Sequence, residues 1–222
     1  MRFLIAIIVF FFICLKPFAQ IPDGFSYVQD EIPTIKIELR YFSTNNFIGI
    51  RINGYQKEVL ILSTEATNAL KNVQIALNKK GLGLKFYDAY RPQRSVNHFA
   101  AWALKVYDTL MKQQYFPNVA KENLFKEGYI AYKSGHTRGS TFDVTLINLK
   151  TGIELDMGTP YDFFGPESWV DFNKISARQK RNRKKIQKVM LKHGFKNYPK
   201  EWWHFTLKEE PFPDTYFDFV VE

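Results

Sequence analysis

Two short segments far apart in the chain, Ser134-Gly135-His136-Thr137-Arg138-Gly139-Ser140-Thr141-Phe142-Asp143 and Glu201-Trp202-Trp203-His204, constrain this sequence more than its composition does. The first sets an imidazole and a carboxylate around small, turn-forming residues. The second sets an acid and another imidazole around two indoles. If these polar groups act together, the fold has to carry residues 136, 143, 201 and 204 to one place. A third segment, Tyr87-Asp88-Ala89-Tyr90-Arg91-Pro92, adds a carboxylate and a guanidinium.

The chain has 222 residues, the size of one compact domain. It is 45% hydrophobic and 17% aromatic, which suits a well-buried core. Residues 1–19 stand apart. Met1-Arg2 precedes an unbroken apolar run over residues 3–15, and Lys16-Pro17-Phe18-Ala19 ends it. A charged start, a short apolar stretch and a small residue near the end describe a secretory signal peptide. The run is short for a spanning helix, which needs about 20 residues. Cleavage is expected after Ala19, leaving a domain over residues 20–222, exported to the periplasm and not held in the membrane. An uncleaved anchor is the alternative. Cys14, the only cysteine, lies inside that leader. The mature chain then has no disulfide and no thiol nucleophile, and any metal site must use His and carboxylate ligands.

Formal net charge is +9, and removing Arg2 and Lys16 leaves +7. Eight of the fifteen residues 178–192 are basic. Ile175, Ile186, Val189 and Met190 form an apolar stripe along the same stretch, so it reads as an amphipathic helix with a solvated cationic face. An anionic envelope is the second reading of that face, and no nucleic-acid partner is expected.

No internal repeat or linker interrupts residues 20–222. Residues 35–39 alternate with period two and predict a strand. Asn53-Gly54 predicts a hairpin between residues 47–52 and 55–62. Residues 65–80 predict a helix capped by Thr64 and closed by Gly81. A strand over 82–88 follows. The next helix is capped by Ser95 and runs to about residue 114, burying Val96, Phe99, Ala100, Ala103, Val106, Tyr107 and Leu110. Residues 142–149 predict a strand with Phe142, Val144 and Leu146 on one face and Asp143 and Thr145 on the other. A basic helix over 176–192, stopped by Gly194, and a short strand over 204–207 complete the chain. Helices and strands mix without a regular βαβ repeat. That predicts an α+β single domain with a central, largely antiparallel sheet flanked by helices.

His136, Asp143 and His204 are enough to hold a zinc ion. A catalytic zinc takes three protein ligands, an open position and a base beside it, and Glu201 is the available base. Glu201 and His204 are three apart and share a site only if the chain bends there, as at a bulge. Trp202 and Trp203 are expected to wall that site. This is not the helical His-Glu-x-x-His pattern. Arg91 can aim a guanidinium at a developing oxyanion, worth about 10²–10³ in rate. Asp88 can orient Arg91 or a ligand imidazole. His98 and His193 read as packing and helix-end residues.

At these residues the chain resembles the zinc D-alanyl-D-alanine dipeptidases, the VanX type within the D-Ala-D-Ala metallopeptidases. The Ser-x-His-x-x-Gly-x-x-x-Asp stretch, Glu-Trp-Trp-His and Tyr-Asp-x-Tyr-Arg-Pro are all similar to that family's. So are Arg40-Tyr41-Phe42-Ser43-Thr44-Asn45-Asn46-Phe47 and Met157-Gly158-Thr159-Pro160-Tyr161-Asp162-Phe163. The similarity spans about residues 30 to 208. It implies a Hedgehog/D-Ala-D-Ala metallopeptidase-like fold and one zinc per chain on His136, Asp143 and His204. It implies Glu201 as general base and Arg91 as stabiliser of the tetrahedral intermediate. It also implies that Tyr41 and Ser134 hold the amine of a small D,D-dipeptide, while the loop around Asp162 closes near its carboxylate. One departure is Thr141, where the family pattern has Ala.

Three activities remain open at this level. The first is hydrolysis of D-Ala-D-Ala to two D-alanines, in wall turnover or D-alanine salvage. The second is a D,D- or L,D-carboxypeptidase acting on longer peptidoglycan peptides, separated from the first by whether the cleft is capped. The third, a binding module without catalysis, predicts a lost ligand, base or arginine, and all are present. The sequence does not specify an oligomeric state.

Overall fold

The computed structural model describes residues 21–222, so the leader expected over residues 1–19 lies outside the described residues. In chain order the elements are β1 (Phe25–Tyr27), α1 (Val28–Glu31), β2 (Lys36–Ile37), β3 (Ile61–Ser63), α2 (Thr64–Asn78), β4 (Leu82–Asp88), α3 (Gln93–Ala103), α4 (Lys112–Tyr115), β5 (Thr141–Asn148), α5 (Ala177–Lys192), β6 (Phe195–Tyr198) and β7 (Glu201–Leu207). Five strands form one sheet in the order β2-β4-β5-β7-β6, and β1 pairs with β3 in a separate ribbon. Only β2 against β4 is parallel in the larger sheet. The architecture is α+β, with a mixed and largely antiparallel sheet. Among the described residues no helix is long and apolar enough to cross a membrane.

The alternation in β5 divides the sheet into two faces. Phe142, Val144 and Leu146 are fully buried, and their cross-strand partners Phe205, Phe86 and Leu84 are buried with them. Each such side chain contributes about 1.5–3 kcal/mol on burial. Helices α2 and α5 contact each other and the sheet, covering this apolar face. Asp143 leaves the opposite face together with its partner His204. One amphipathic pattern thus makes a core on one side and a cleft on the other.

The chain departs from the sequence-based expectations where its backbone finds distant partners. No hairpin flanks Asn53-Gly54, although Gly54 does turn at φ 102. The Ile52 N–H donates to Tyr41, the Asn53 N–H to His98 Nδ1, and Gln56 and Lys57 donate to Val221. Ser63, not Thr64, caps α2 by accepting from the Ala66 N–H. Ser95 lies inside α3, and its hydroxyl donates to the Asn53 carbonyl.

Helix α3 stops at Ala103 instead of continuing to residue 114, so Val106, Tyr107 and Leu110 are exposed rather than buried. A longer helix would carry the chain off the core. The turn brings Tyr115 and Phe116 back into it, and the Lys121 ammonium fixes the turn by donating to the Asp108 carbonyl over the Trp102 ring.

Candidate active site

Three irregularities in otherwise regular elements bring the polar groups together. The first is the turn before β5. Ser134 caps the one-turn helix Gly135–Arg138 by accepting from the His136 N–H at 3.3 Å, and Gly139 then reverses the chain at φ 81. A Cβ on Gly139 would lie 2.3 Å from the Phe25 ring, so only glycine fits. The second is a bulge in β7. Along β6 the partner moves one residue, from Asn197 to Tyr198, while along β7 it moves from Phe205 to Glu201. Residues 202–204 are the excess, and they let Glu201 and His204 face one cleft. The third is a register shift between Phe86 and Asp88, which aligns Asp88 with Asp143.

The donor atoms converge closely. His136 Nε2 lies 3.4 Å from Asp143 Oδ2 and 3.4 Å from His204 Nδ1, and His204 Nδ1 lies 3.2 Å from Asp143 Oδ1. One ligand atom from each of the three residues falls within 4.8 Å of the others, a group that could hold a metal ion. His136 Nδ1 lies 2.8 Å from the Ala89 carbonyl, an acceptor, so Nδ1–H points there and Nε2 is the ring atom turned to the site. Asp143 Oδ1 is buried and takes no well-aligned hydrogen bond; its approach to His204 is a charge contact only. An unsatisfied buried carboxylate oxygen between two imidazoles suits a cation better than any neutral occupant.

Electrostatics bind the group together. Burial alone would raise the Asp143 carboxyl, but the His136 and His204 imidazoles outweigh it and hold the group far below the ordinary range. Burial would lower His204, yet the Asp143 and Glu201 carboxylates beside its Nδ1 bring it up to about 9. Glu201 Oε2 lies 3.2 Å from His204 Nδ1. Arg91 is clamped to Asp88, with Nε and Nη2 each 2.8 Å from Oδ2, and its Nη2 lies 3.6 Å from Asp143 Oδ2. Burial pushes Asp88 up while Arg91 opposes it, and Tyr55 donates to its other oxygen at 2.5 Å.

A cleft of about 340 Å³ opens over these groups. Its lining includes every sequence-predicted site residue but one: Tyr41, Arg91, Ser134, His136, Asp143, Asp162, Glu201 and His204. Asp88 is fully buried behind Arg91. Trp202 and Trp203 do not wall this cleft. Both are buried in the core, where Trp203 meets the edge of the Tyr161 ring and Trp202 donates to Thr159. The bulge consumes residues 202 and 203, so its polar ends face the cleft and its indoles face inward. Thr141 puts its hydroxyl 2.9 Å from that of Thr206 across the β5–β7 pair, so the extra polar atom is satisfied.

The Peptidase M15 family, described as D-ala-D-ala dipeptidase, matches residues 23–222. The chain belongs to this dipeptidase family. A D-alanyl-D-alanine dipeptidase of Enterococcus faecium is 35% identical over 90% of this chain and 98% of its own length. One of Streptomyces coelicolor is 37% identical over 89% and 98%, and one of Escherichia coli is 32% identical over 80% and 81%. Among solved structures, the LdcB LD-carboxypeptidase overlaps at TM-score 0.43 with 19% identity, covering 85% of this chain and 70% of that one.

Three groups around this dipeptidase-family site were not singled out from sequence. The Ala89 carbonyl meets His136, Tyr55 meets Asp88, and the Tyr161 hydroxyl sits 3.0 Å from Asp143 Oδ2. Ala89 acts through its backbone, which no side-chain pattern reveals. Tyr161 had a signal, since it adjoins Asp162 in a segment already marked by resemblance.

Proposed function

We propose that this chain is a zinc dipeptidase that hydrolyses D-alanyl-D-alanine to two D-alanines outside the cytoplasm. The observation that carries this reading is the convergence of His136, Asp143 and His204 on one point, with Glu201 beside it and Arg91 fixed across from it. The donor set, two imidazoles and one carboxylate, fits zinc, which takes such N/O ligands. When bound, zinc supplies Lewis-acid polarisation of the scissile carbonyl and makes water a stronger acid.

The chain's own groups do the rest. Glu201 takes a proton from the attacking water as its oxygen bonds to the peptide carbon, and returns it to the leaving nitrogen as the C–N bond breaks. Arg91 donates to the oxyanion that forms on the carbonyl oxygen. Its clamp on Asp88 fixes its direction before substrate arrives, so little reorganisation is needed. Tyr41, Ser134 and Asp162 line the same cleft, which supports the roles the resemblance implies: the first two holding the substrate amine, and the loop around Asp162 closing near the substrate carboxylate. Asp162 has φ 60, and it is the one non-glycine residue among those described with a left-handed backbone, a conformation that costs about 1–2 kcal/mol. Strain of this kind persists where the surroundings fix it, as at binding sites.

Cleft size favours a dipeptide over longer wall peptides. The volume is at the small end of ligand sites, which run about 300–1,000 Å³. The segment around Gly128, Tyr129, Ile130 and Ala131 lines it, with Tyr129 stacked on Phe164, another lining residue. Glu201→Gln tests the assignment: turnover of D-Ala-D-Ala is expected to vanish while zinc stays bound, and retained turnover would refute it. Product analysis on D-Ala-D-Ala beside a muramyl pentapeptide, with and without chelator, separates dipeptidase from carboxypeptidase.

A further inference from the structure

We propose that Tyr161 aims the Asp143 carboxylate at the cation, as the last donor in a hydrogen-bond string that starts at a neutral Asp162 and passes through Tyr41. The proposal rests on the zinc-centre reading above. Four buried groups stand in line. Asp162 Oδ2 lies 2.9 Å from the Tyr41 hydroxyl, which lies 3.0 Å from the Tyr161 hydroxyl, which lies 3.0 Å from Asp143 Oδ2.

Counting hydrogens fixes the direction of the string. Three oxygen–oxygen contacts at these distances need three hydrogens. The two phenols supply one each. The third must sit on a carboxyl group. Asp143 faces two imidazoles and has Arg91 Nη2 3.6 Å away, so it stays a carboxylate. Asp162 therefore carries the hydrogen and donates to Tyr41, Tyr41 donates to Tyr161, and Tyr161 donates to Asp143. Burial, reinforced by the charge of Asp143, pushes the Asp162 carboxyl well above its ordinary value, in agreement with the count.

This arrangement gives the two oxygens of Asp143 different work. Oδ2 is engaged by Tyr161, while Oδ1 is left without a hydrogen-bond partner. A carboxylate held at one oxygen presents the other in a fixed direction, which is how outer partners orient metal ligands. Tyr161 can do this because its ring cannot swing. It stacks on Tyr87 at 4.7 Å and meets the edge of Trp203 at 5.4 Å. The string also ties the ligand to Asp162, another residue of the cleft lining, through one chain of bonds.

The test measures zinc affinity of the full chain after metal removal, by competition with a chromophoric chelator, together with the visible spectrum of the cobalt-loaded protein. Tyr161→Phe keeps the ring and removes the donor. It is expected to weaken zinc binding about 10–100-fold and to shift the cobalt spectrum, with the thermal midpoint of the stripped protein unmoved. Asp162→Asn still offers an N–H to Tyr41 and is expected to hold zinc within about threefold of the parent, whatever it does to turnover. Parental zinc affinity and an unshifted cobalt spectrum in Tyr161→Phe would overturn the positioning role. A loss in Asp162→Asn equal to that in Tyr161→Phe would overturn the neutral-donor string. A parent chain that takes up no zinc would overturn the metal centre and this proposal with it.

Discussion

The two walls of the cleft are built on different principles. One wall is sheet: Asp143 on β5, Glu201 and His204 on β7, and Arg91 just past β4. Each of these groups is held by strand pairing or by a charged partner on a strand of the same sheet. The other wall is loop: residues 128–131 and Lys133 line the cleft, at the end of a long connection that starts at residue 104. It contains little regular structure, and lysine ammoniums stitch it by donating to backbone carbonyls. Lys112 donates to the Phe116 and Val119 carbonyls, Lys121 to Asp108 and Lys200 to Glu127. The difference teaches that chemistry sits where the backbone is over-determined. Shape and access are left to the part that is easier to vary.

The largest effect is expected from the sheet wall. Arg91→Ala should lower kcat/KM on D-Ala-D-Ala by about 10²–10³, chiefly through kcat, because the guanidinium acts on charge that exists only in the transition state. Arg91→Lys should recover little of this, since one ammonium cannot both pair with Asp88 and reach the oxyanion. Steady-state kinetics check it. A change confined to KM would break the contrast between the walls by making Arg91 a simple binding group.

A second test asks whether the sheet wall is one electrostatic unit. His204 is brought up to about 9, above the ordinary 6.5, so in chelator-stripped protein its partners stabilise the fold fully below about pH 6.5 and lose that effect as pH rises through 9. Asp143 is held down, so its contribution is present above its ordinary value of 3.8 and is lost as pH falls. Zinc must displace the His204 proton, so affinity should rise about tenfold per pH unit between pH 7 and 9. Chelator competition at pH 7 and 8 measures the slope. A flat profile would mean that His204 does not bear the proton its neighbours favour.

Legibility from sequence follows the same division. α2 and α5 are readable because one face of each is buried, which forces a period of 3.6 on the apolar residues, and β5 because apolar Phe142, Val144 and Leu146 alternate with polar Asp143 and Thr145, although both of its faces are buried. The need for a bend between Glu201 and His204 was readable too, since three residues on a straight strand point two ways. The loop wall was not. Val106, Tyr107 and Leu110 continue the helical spacing of Val96, Phe99 and Ala103, and only the competing pull of Tyr115 and Phe116 toward the core ends α3 early. The failed hairpin at Asn53-Gly54 has a similar cause, because its backbone partners come from Tyr41, His98 and Val221, which no local pattern reveals.

Lys121→Met sharpens the contrast from the loop side. The methionine keeps an apolar stem beside Trp102 and removes the donor to Asp108. A hydrogen bond from a charged group is worth about 1.5–3 kcal/mol, so the variant should lose that much stability in urea unfolding. KM should rise several-fold while kcat stays within about twofold. A large fall in kcat would show that the loop wall helps to align the reacting groups after all.

The smallest effect is expected at the exposed turn itself. Tyr107 is 82% exposed and Leu110 74% exposed, although the helical pattern marked both as core. If the turn is as described, Tyr107→Ser and Leu110→Ser each change stability by no more than about 0.5 kcal/mol, the range of ordinary surface substitutions. If α3 instead ran on and buried these side chains, each would cost about 2–5 kcal/mol, as large-to-small changes in a core do. The two outcomes differ several-fold, so thermal unfolding of either single variant decides where the helix ends. Leu110 is the more demanding of the pair, because its Cδ2 stands where a Cβ on Gly49 would come within 3.0 Å, so it touches the loop without being enclosed by it.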